Sequence, residues 1–397
     1  APSVTIRQNR YLPIGSDGSK DQVWQIPVCV KYRTAQGVEK ECFLLDRARE
    51  DFKLAKASSC PAELAANDNG SGYYIAGYQG SMLEKLVDQG EPFLDTAEQI
   101  TLLHDLRSLS DGGSVKESVT LGAVPVYAKS AERQVVSQAQ GIANGVRALV
   151  PANLLPNYAR FVRKMFSERA EALGWSAKPG DDSETRLLRA GMVPFVAVNG
   201  EDEKLQREAR RLAGEWLRDR KGVDPDMLSS VLSTAAHSGD RALFDRLLEE
   251  LKKTDDRSQR RAILGALGSF RDPKLVDAAH ELVLHSDIDA RESGMLIFAG
   301  RNDPKTERMP FQFVKTNYEE LIKRLPTGGG SDFGAALPEV VAGCDAQAME
   351  EIKFFEDRVK QFAGGPRTYQ QAVESLRLCT ARKAALGPDV VKFFEKQ

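Results

Sequence analysis

The chain has 397 residues, too many for one ordinary domain and ample for two, or for one domain followed by a repeat array. Its 55 lysines and arginines balance 57 aspartates and glutamates, a formal charge of −2, which excludes both the basic footprint of a nucleic-acid binder and a polybasic membrane-surface run. No apolar stretch approaches the roughly 18–20 residues that span a bilayer, and 42% hydrophobic with 7% aromatic residues is ordinary for a globular protein.

The opening residues, Ala1-Pro2-Ser3-Val4, read as neither a signal peptide nor a transit peptide. Two origins fit a start without methionine, a processed chain or a piece of something longer, and the second is favoured by the resemblance set out below. Residues 1 to about 85 read as β. Val4-Thr5-Ile6 alternates, Val23 to Tyr32 is rich in β-branched and aromatic residues, Thr34 to Gly37 is a turn, and Val38 to Leu45 is a return strand. Pro27 places the second strand at an edge or on a bulge. The cluster from Asn67 to Gly72 punctuates the chain before a further strand, Tyr73 to Tyr78. These features predict a small antiparallel β-sandwich.

Three of five cysteines, Cys29, Cys42 and Cys60, fall in this region; Cys344 and Cys379 are the others. A turn at Ala35-Gln36 places Cys29 opposite Cys42, so a bridge and a pair of free buried thiols are both open, and with them the compartment. None of the five has zinc-finger spacing.

The period then changes. Asp95-Thr96-Ala97-Glu98 has the form of a capping box and precedes Ile100, Leu102, Leu103, Leu106 and Leu109 at helical spacing. Asp224-Pro225, Asp272-Pro273 and Asp303-Pro304 each offer an N-cap acceptor followed by a proline where no helical N–H is needed, so each predicts a helix start. Leu275, Val276, Ala279, Leu282 and Val283 form one apolar stripe, and Ile263, Leu264, Leu267 and Phe270 another. Short helices with single apolar faces must bury them against neighbours, which predicts antiparallel pairs in a HEAT-like superhelix. The expected architecture is multidomain α and β: a β-sandwich domain over 1–88 and an all-α HEAT-like solenoid over 89–397. Pro326 to Asp332, a glycine-rich stretch without the Lys-Ser/Thr of a P-loop, is expected to be a plain helix-to-helix loop.

Catalytic chemistry is hard to place. His280-Glu281-Leu282-Val283-Leu284-His285 is one residue too long for H-E-x-x-H, so its imidazoles stand about 140° apart around a helix and do not converge on one metal. Both are expected at the surface or a loop edge. His104 and Asp105 are adjacent and do not face each other as a dyad. His237 precedes Ser238-Gly239-Asp240 and suits a helix C-terminus. There is no G-x-S-x-G elbow and no local cysteine nucleophile signature. Asn69-Gly70-Ser71 fits an N-glycosylation acceptor, relevant only in a eukaryotic secretory setting.

Several strings, in their shared order, resemble the C-terminal half of the aminopeptidase N family of zinc metallopeptidases. Gln8, Arg10-Tyr11 and Trp24-Gln25-Ile26-Pro27-Val28 are similar to its sandwich domain, as is Asn67 to Tyr78, with Ile75 where arginine is usual and Gly77 for a polar residue. The string from Leu102 to Asp105 resembles the first helix of its C-terminal domain, related to that of the endoplasmic-reticulum aminopeptidases. Glu184 to Arg189, Gly239-Asp240 with Phe244-Asp245, and Ala266-Leu267-Gly268 with Asp272-Pro273 follow its order. So do Asn302-Asp303-Pro304 leading to Phe311–Tyr318, and Asp389 to Phe394 at the end.

The family's H-E-x-x-H and Gly-x-Met-Glu-Asn signatures lie upstream of this region, and neither occurs here. The resemblance therefore implies no catalytic residue, no metal ligand and no cofactor in this chain, with zinc in an upstream catalytic domain. The implied partners are that domain and a peptide substrate, with no nucleic acid and no membrane span; substrate-binding residues are unknown. The helical part is expected to cover the active site and shape the peptide chamber, inactive alone. Arg367, Arg377 and Arg382 are candidates to meet a substrate carboxylate, set against the plainer role of solvated-face residues. The alternative is an independent sandwich-plus-solenoid scaffold for protein partners.

Overall fold

The computed structural model describes residues 2–89, 92–325 and 333–397, so the stretch from Pro326 to Asp332 lies outside the described residues. The chain divides into two compact units, residues 1–154 with 384–397, and residues 155–383. The first unit thus takes in the strands and the first helices together, and compactness divides the chain at a different place from the change of sequence period near 88.

The first unit opens with five strands, β1 (Ser3–Arg7), β2 (Ile26–Thr34), β3 (Gly37–Leu45), β4 (Arg49–Lys53) and β5 (Leu64–Ala65). β1 pairs antiparallel with β4, and β3-β2-β5 form a second antiparallel sheet. Both sheets contribute to one apolar core: Val28, Val30, Tyr32 and Leu45 are buried, with Ile6 and Phe52 packed against them. Phe43 stacks on Phe52 at 4.7 Å. Cys29 and Cys42 are register partners and are joined as a disulfide.

Three strand expectations are corrected. The second strand begins at Ile26, not Val23. β2 is central in its sheet, yet β5 pairs only with Lys31 and Tyr32, so Pro27 has a ladder partner on one side only, Leu44, and its missing N–H breaks nothing. Residues 73–78 form no strand. That run spends its polar groups on side-chain bonds instead: Tyr74 Oη donates to Ala66 O at 2.7 Å, Tyr78 Oη accepts from Ala66 N at 2.9 Å, and Ala76 N donates to Asp105 at 3.0 Å.

Four helices complete the unit before residue 154: α1 (Met82–Gln89), α2 (Thr96–Asp111), α3 (Glu117–Tyr127) and α4 (Arg133–Gly145). The capping box at α2 is formed, with Glu98 N donating to Asp95 and Asp95 N to Glu98, both at 2.9 Å. The N-terminus of α3 has no local cap; Ser118 N and Oγ donate to Asp389 at 2.7 and 3.1 Å.

The second unit is built from α5 (Leu155–Leu173), α6 (Ser183–Asn199), α7 (Glu203–Asp219), α8 (Leu228–His237), α9 (Arg241–Lys252) and α10 (Arg257–Leu267). It continues with α11 (Pro273–Leu284), α12 (Ala290–Ser293), α13 (Met309–Arg324), α14 (Phe333–Ala336), α15 (Ala346–Glu351) and α16 (Gly365–Phe394), the last running past the unit's limit at Lys383. Packing is between near neighbours in sequence: α5 on α6, α7 on α8, α8 and α9 on α10, α11 on α13. The stripes read from the sequence lie on the buried faces: Leu275, Val276, Ala279 and Val283 are inside and Leu282 is half-buried, while Ile263, Leu264, Leu267 and Phe270 are all inside.

Aspartate opens most of these helices. Asp182, Asp202, Asp240, Asp256, Asp272, Asp289 and Asp345 each accept a backbone N–H of the first turn. Each such cap stabilises by about 1 kcal/mol. Asp224 caps a 3-10 turn, Pro225–Met227, that leads into α8. The third Asp-Pro differs from expectation: residues 301–308 are turns and the helix begins at Met309. Asp303 accepts from Lys305 N but also from Arg271, and Thr306 Oγ donates back to Gly300 O at 2.8 Å, which ties the segment into a compact knot before α13 starts at Met309-Pro310.

Side chains tie each stretch of the second unit to one about a helix pair away. Arg163 donates to Gly200 O, Lys204 pairs with Glu171, Arg220 with Glu250, Arg260 with Glu292, Arg271 with Asp303 and Arg308 with Asp345 and Glu351. These ties span 30 to 43 residues of sequence. Arg220 makes its tie from the end of α7. It sits at φ 61°, a left-handed conformation that a side chain normally avoids. Its guanidinium lies 4.2 Å from the Trp216 ring centroid and also donates to Thr254 at 2.7 Å and Gln259 at 2.9 Å. Cys344 and Cys379 form a second disulfide, in this unit.

Candidate functional site

The histidines do not assemble into a centre. His280 is only 1% exposed, stacked on Phe313 with centroids 4.7 Å apart, which corrects the expectation of a surface residue. It lies on the apolar stripe itself, four residues after Val276 and three before Val283. Burial pushes its imidazole down to about 4, so it is neutral at ordinary pH. His285 is at the helix edge, as expected, exposed and 3.4 Å from Glu281. The two rings therefore occupy opposite environments. His237 ends α8. His104 is exposed and its Nδ1 comes to 3.6 Å from Asp105, longer than a hydrogen bond. No group of three or more His, Cys, Asp or Glu side chains poised for a metal occurs among the described residues.

Arg367 is exposed and Arg377 and Arg382 are half-buried, all on α16. Cys60 is an exposed thiol.

A buried polar cluster lies in the first unit, between the strands and α2. Lys31, buried on β2, pairs with Glu98 and donates to Phe93 O at 2.9 Å. Glu98 also receives Asn69 N at 3.1 Å and Asp95 N at 2.9 Å, so one carboxylate closes a helix cap, fixes the 68–70 turn and neutralises a buried lysine. Lys40 pairs with Asp68 at 2.7 Å nearby. About two helical turns on, Asp105 is 3% exposed and accepts from Ala76 N; burial pushes its carboxyl up to about 6. A cavity of about 10 Å³, room for a single water at most, lies among Asn67, Tyr78, Glu98, Thr101 and Asp105. Its size excludes a substrate. These groups fasten residues 64–78 and the β2–β3 sheet to α2.

The sequence shows Glu98 as part of a cap and Asp105 beside His104, but not their burial with Lys31. Strand alternation puts Lys31 on the face opposite Val28, Val30 and Tyr32, where a lysine ordinarily meets solvent, so nothing local marks it as buried.

The sequence that builds these elements has relatives. Residues 64–378 match the family described as ERAP1-like C-terminal domain. The chain belongs to that family. Relatives of this ERAP1-like C-terminal region include "Aminopeptidase 2" of Candida albicans, 24% identical over 99% of this chain and 42% of the relative. "Aminopeptidase 2, mitochondrial" of Saccharomyces cerevisiae is 24% identical over 89% of this chain and 37% of its own length. "Puromycin-sensitive aminopeptidase" of Caenorhabditis elegans is 22% identical over 99% and 42%. The resemblance to the C-terminal region of aminopeptidases of this family is borne out, and the chain spans less than half the length of these relatives.

Proposed function

We propose that this chain is the non-catalytic C-terminal part of a zinc-dependent aminopeptidase, which removes N-terminal residues from peptides. The observation that carries the reading is the match of residues 64–378 to an ERAP1-like C-terminal domain in a chain that covers 42% of an aminopeptidase. The zinc belongs to an upstream catalytic domain, which is the chain's first partner; peptide substrate is the second.

Within that reading, residues 1–88 are a reduced β-sandwich, supported by the apolar core that β1–β4 and β3-β2-β5 share. Residues 89–397 are a HEAT-like superhelix, supported by near-neighbour helix packing and by ties spanning roughly one helix pair. The superhelix covers the active site and shapes the chamber that holds the peptide.

The test is to express the chain alone and joined to the coding segment upstream of it. Alone, it should release no amino acid from an aminoacyl anilide and bind no stoichiometric zinc; joined, it should do both. Robust turnover by the isolated chain overturns the reading.

A further inference from the structure

At one end of the β2–β3 ribbon, the end away from the Thr34–Gly37 turn, large apolar side chains stand in solvent. Leu44 is 55% exposed and lies directly opposite Pro27, also exposed, in the ladder. Val23 and Trp24, 46% and 44% exposed, lie on the run that leads into β2. That run has no strand partner, yet it is fixed. Gln8 Oε1 accepts Trp24 N at 2.8 Å, and Gln8 Nε2 donates to Trp24 O at 2.8 Å and to Arg47 O at 3.1 Å, so one amide side chain holds Trp24 beside the end of β3.

The sheet face that carries Pro27 and Leu44 is covered at its other end. Further along the same face, the register pair Lys31 and Lys40 is met by Glu98 and Asp68 from the α2 side. The apolar end has no such cover. A surface tryptophan held at both its backbone N–H and C=O, three residues before the exposed Pro27–Leu44 pair, is a preorganised apolar group.

We propose that Val23, Trp24, Pro27 and Leu44 form the seat on which the preceding, catalytic part of the same polypeptide packs. The occupant follows from length. The relatives run to more than twice the span matched here, and the matched family is a C-terminal domain, so the bulk of their chain precedes this region and must meet it. The four side chains are uncharged, and the exposed Asp46–Arg47 ion pair follows at the end of β3, as polar rims border the apolar middle of interfaces. The proposal rests on the reading under Proposed function and names the surface it requires.

The experiment is hydroxyl-radical footprinting with peptide mass spectrometry, on the isolated chain and on the chain joined to its upstream coding segment. Oxidation of Trp24, Pro27 and Leu44 should fall by roughly tenfold on joining, as expected when such groups pass into an interface core. Unchanged oxidation of Trp24 and Leu44 in a joined protein that cleaves an aminoacyl anilide overturns this inference alone. If the joined protein shows neither cleavage nor protection, the aminopeptidase reading fails with it. Protection in the isolated chain that grows with its concentration assigns the seat to a second copy and also overturns the proposal.

Discussion

The carboxylate of Asp389 holds the backbone N–H and the hydroxyl of Ser118, a residue 271 positions earlier in the chain. It supplies to α3 the cap that its own N-terminal residue, Lys116, does not. Asp389→Ala should therefore lower stability by about 1–2 kcal/mol, the range for a lost N-cap. In urea unfolding, Ser118→Ala combined with Asp389→Ala should cost less than the sum of the two single changes. Additive costs would show that the two residues do not act on each other.

Asp105 makes the first unit sensitive to pH. Its carboxyl is raised from 3.8 to about 6 by burial, so the folded chain binds the proton more readily than the unfolded one. The penalty of the buried carboxylate is complete above about pH 6, shrinks as pH falls and is gone below 3.8. Asp105→Asn, which keeps an acceptor for Ala76 N, should stabilise the chain at pH 7.5 by up to about 3 kcal/mol. The gain should vanish at pH 4, as read by thermal unfolding at both values. A gain of equal size at the two pH values would rule out titration as its source.

His280 works in the opposite direction, and in the second unit. Its folded value, about 4, lies below the ordinary 6.5, so acid favours the unfolded chain. Stability is intact above pH 6.5 and declines as pH falls towards 4. His280→Phe should flatten that decline whatever its effect at neutral pH. An unchanged slope between pH 6.5 and 4.5 would mean that another group sets it.

Arg260 tests the ties. Its guanidinium meets Glu292 at 2.6–3.1 Å and also donates to Leu251 O and Thr254 O at 3.0 and 2.9 Å. A lysine cannot span this fork. Arg260→Lys should lose about 1–2 kcal/mol, most of the loss seen for Arg260→Ala. Added salt should barely change that difference, because backbone carbonyls share the contact. Full retention of stability in Arg260→Lys would reduce the tie to a simple surface ion pair.

What could be read from the sequence was what its neighbours in the chain decide. The box Asp95–Glu98 is complete within four residues, and the Cys29–Cys42 pairing follows from the position of a turn. β4 was missed because its outward positions, Arg49, Asp51 and Lys53, mask its alternation and its partner strand begins 46 residues earlier. Asp303-Pro304 has the chemistry of a helix start, and Asp303 does accept Lys305 N, but the turn so opened is tied back to Gly300 by Thr306 and to Arg271, 32 residues away, before a helix begins. His280 was legible as a stripe position and was misjudged because a histidine was weighed by its polarity and not by its place on the helix. The polar cluster around Glu98 was out of reach, since it joins Lys31, Asn69 and Asp95 from three separate segments.

The reach of the arginine ties also bears on how the protein is made. Each closes between residues 30 to 43 positions apart, so both partners leave the ribosome within seconds of one another at ordinary rates of synthesis. The second unit can then set its joints one by one as it emerges, without waiting for its C-terminus. The clasp between Ser118 and Asp389 waits for 271 further residues, so it closes only after every tie of the second unit has had both its partners made.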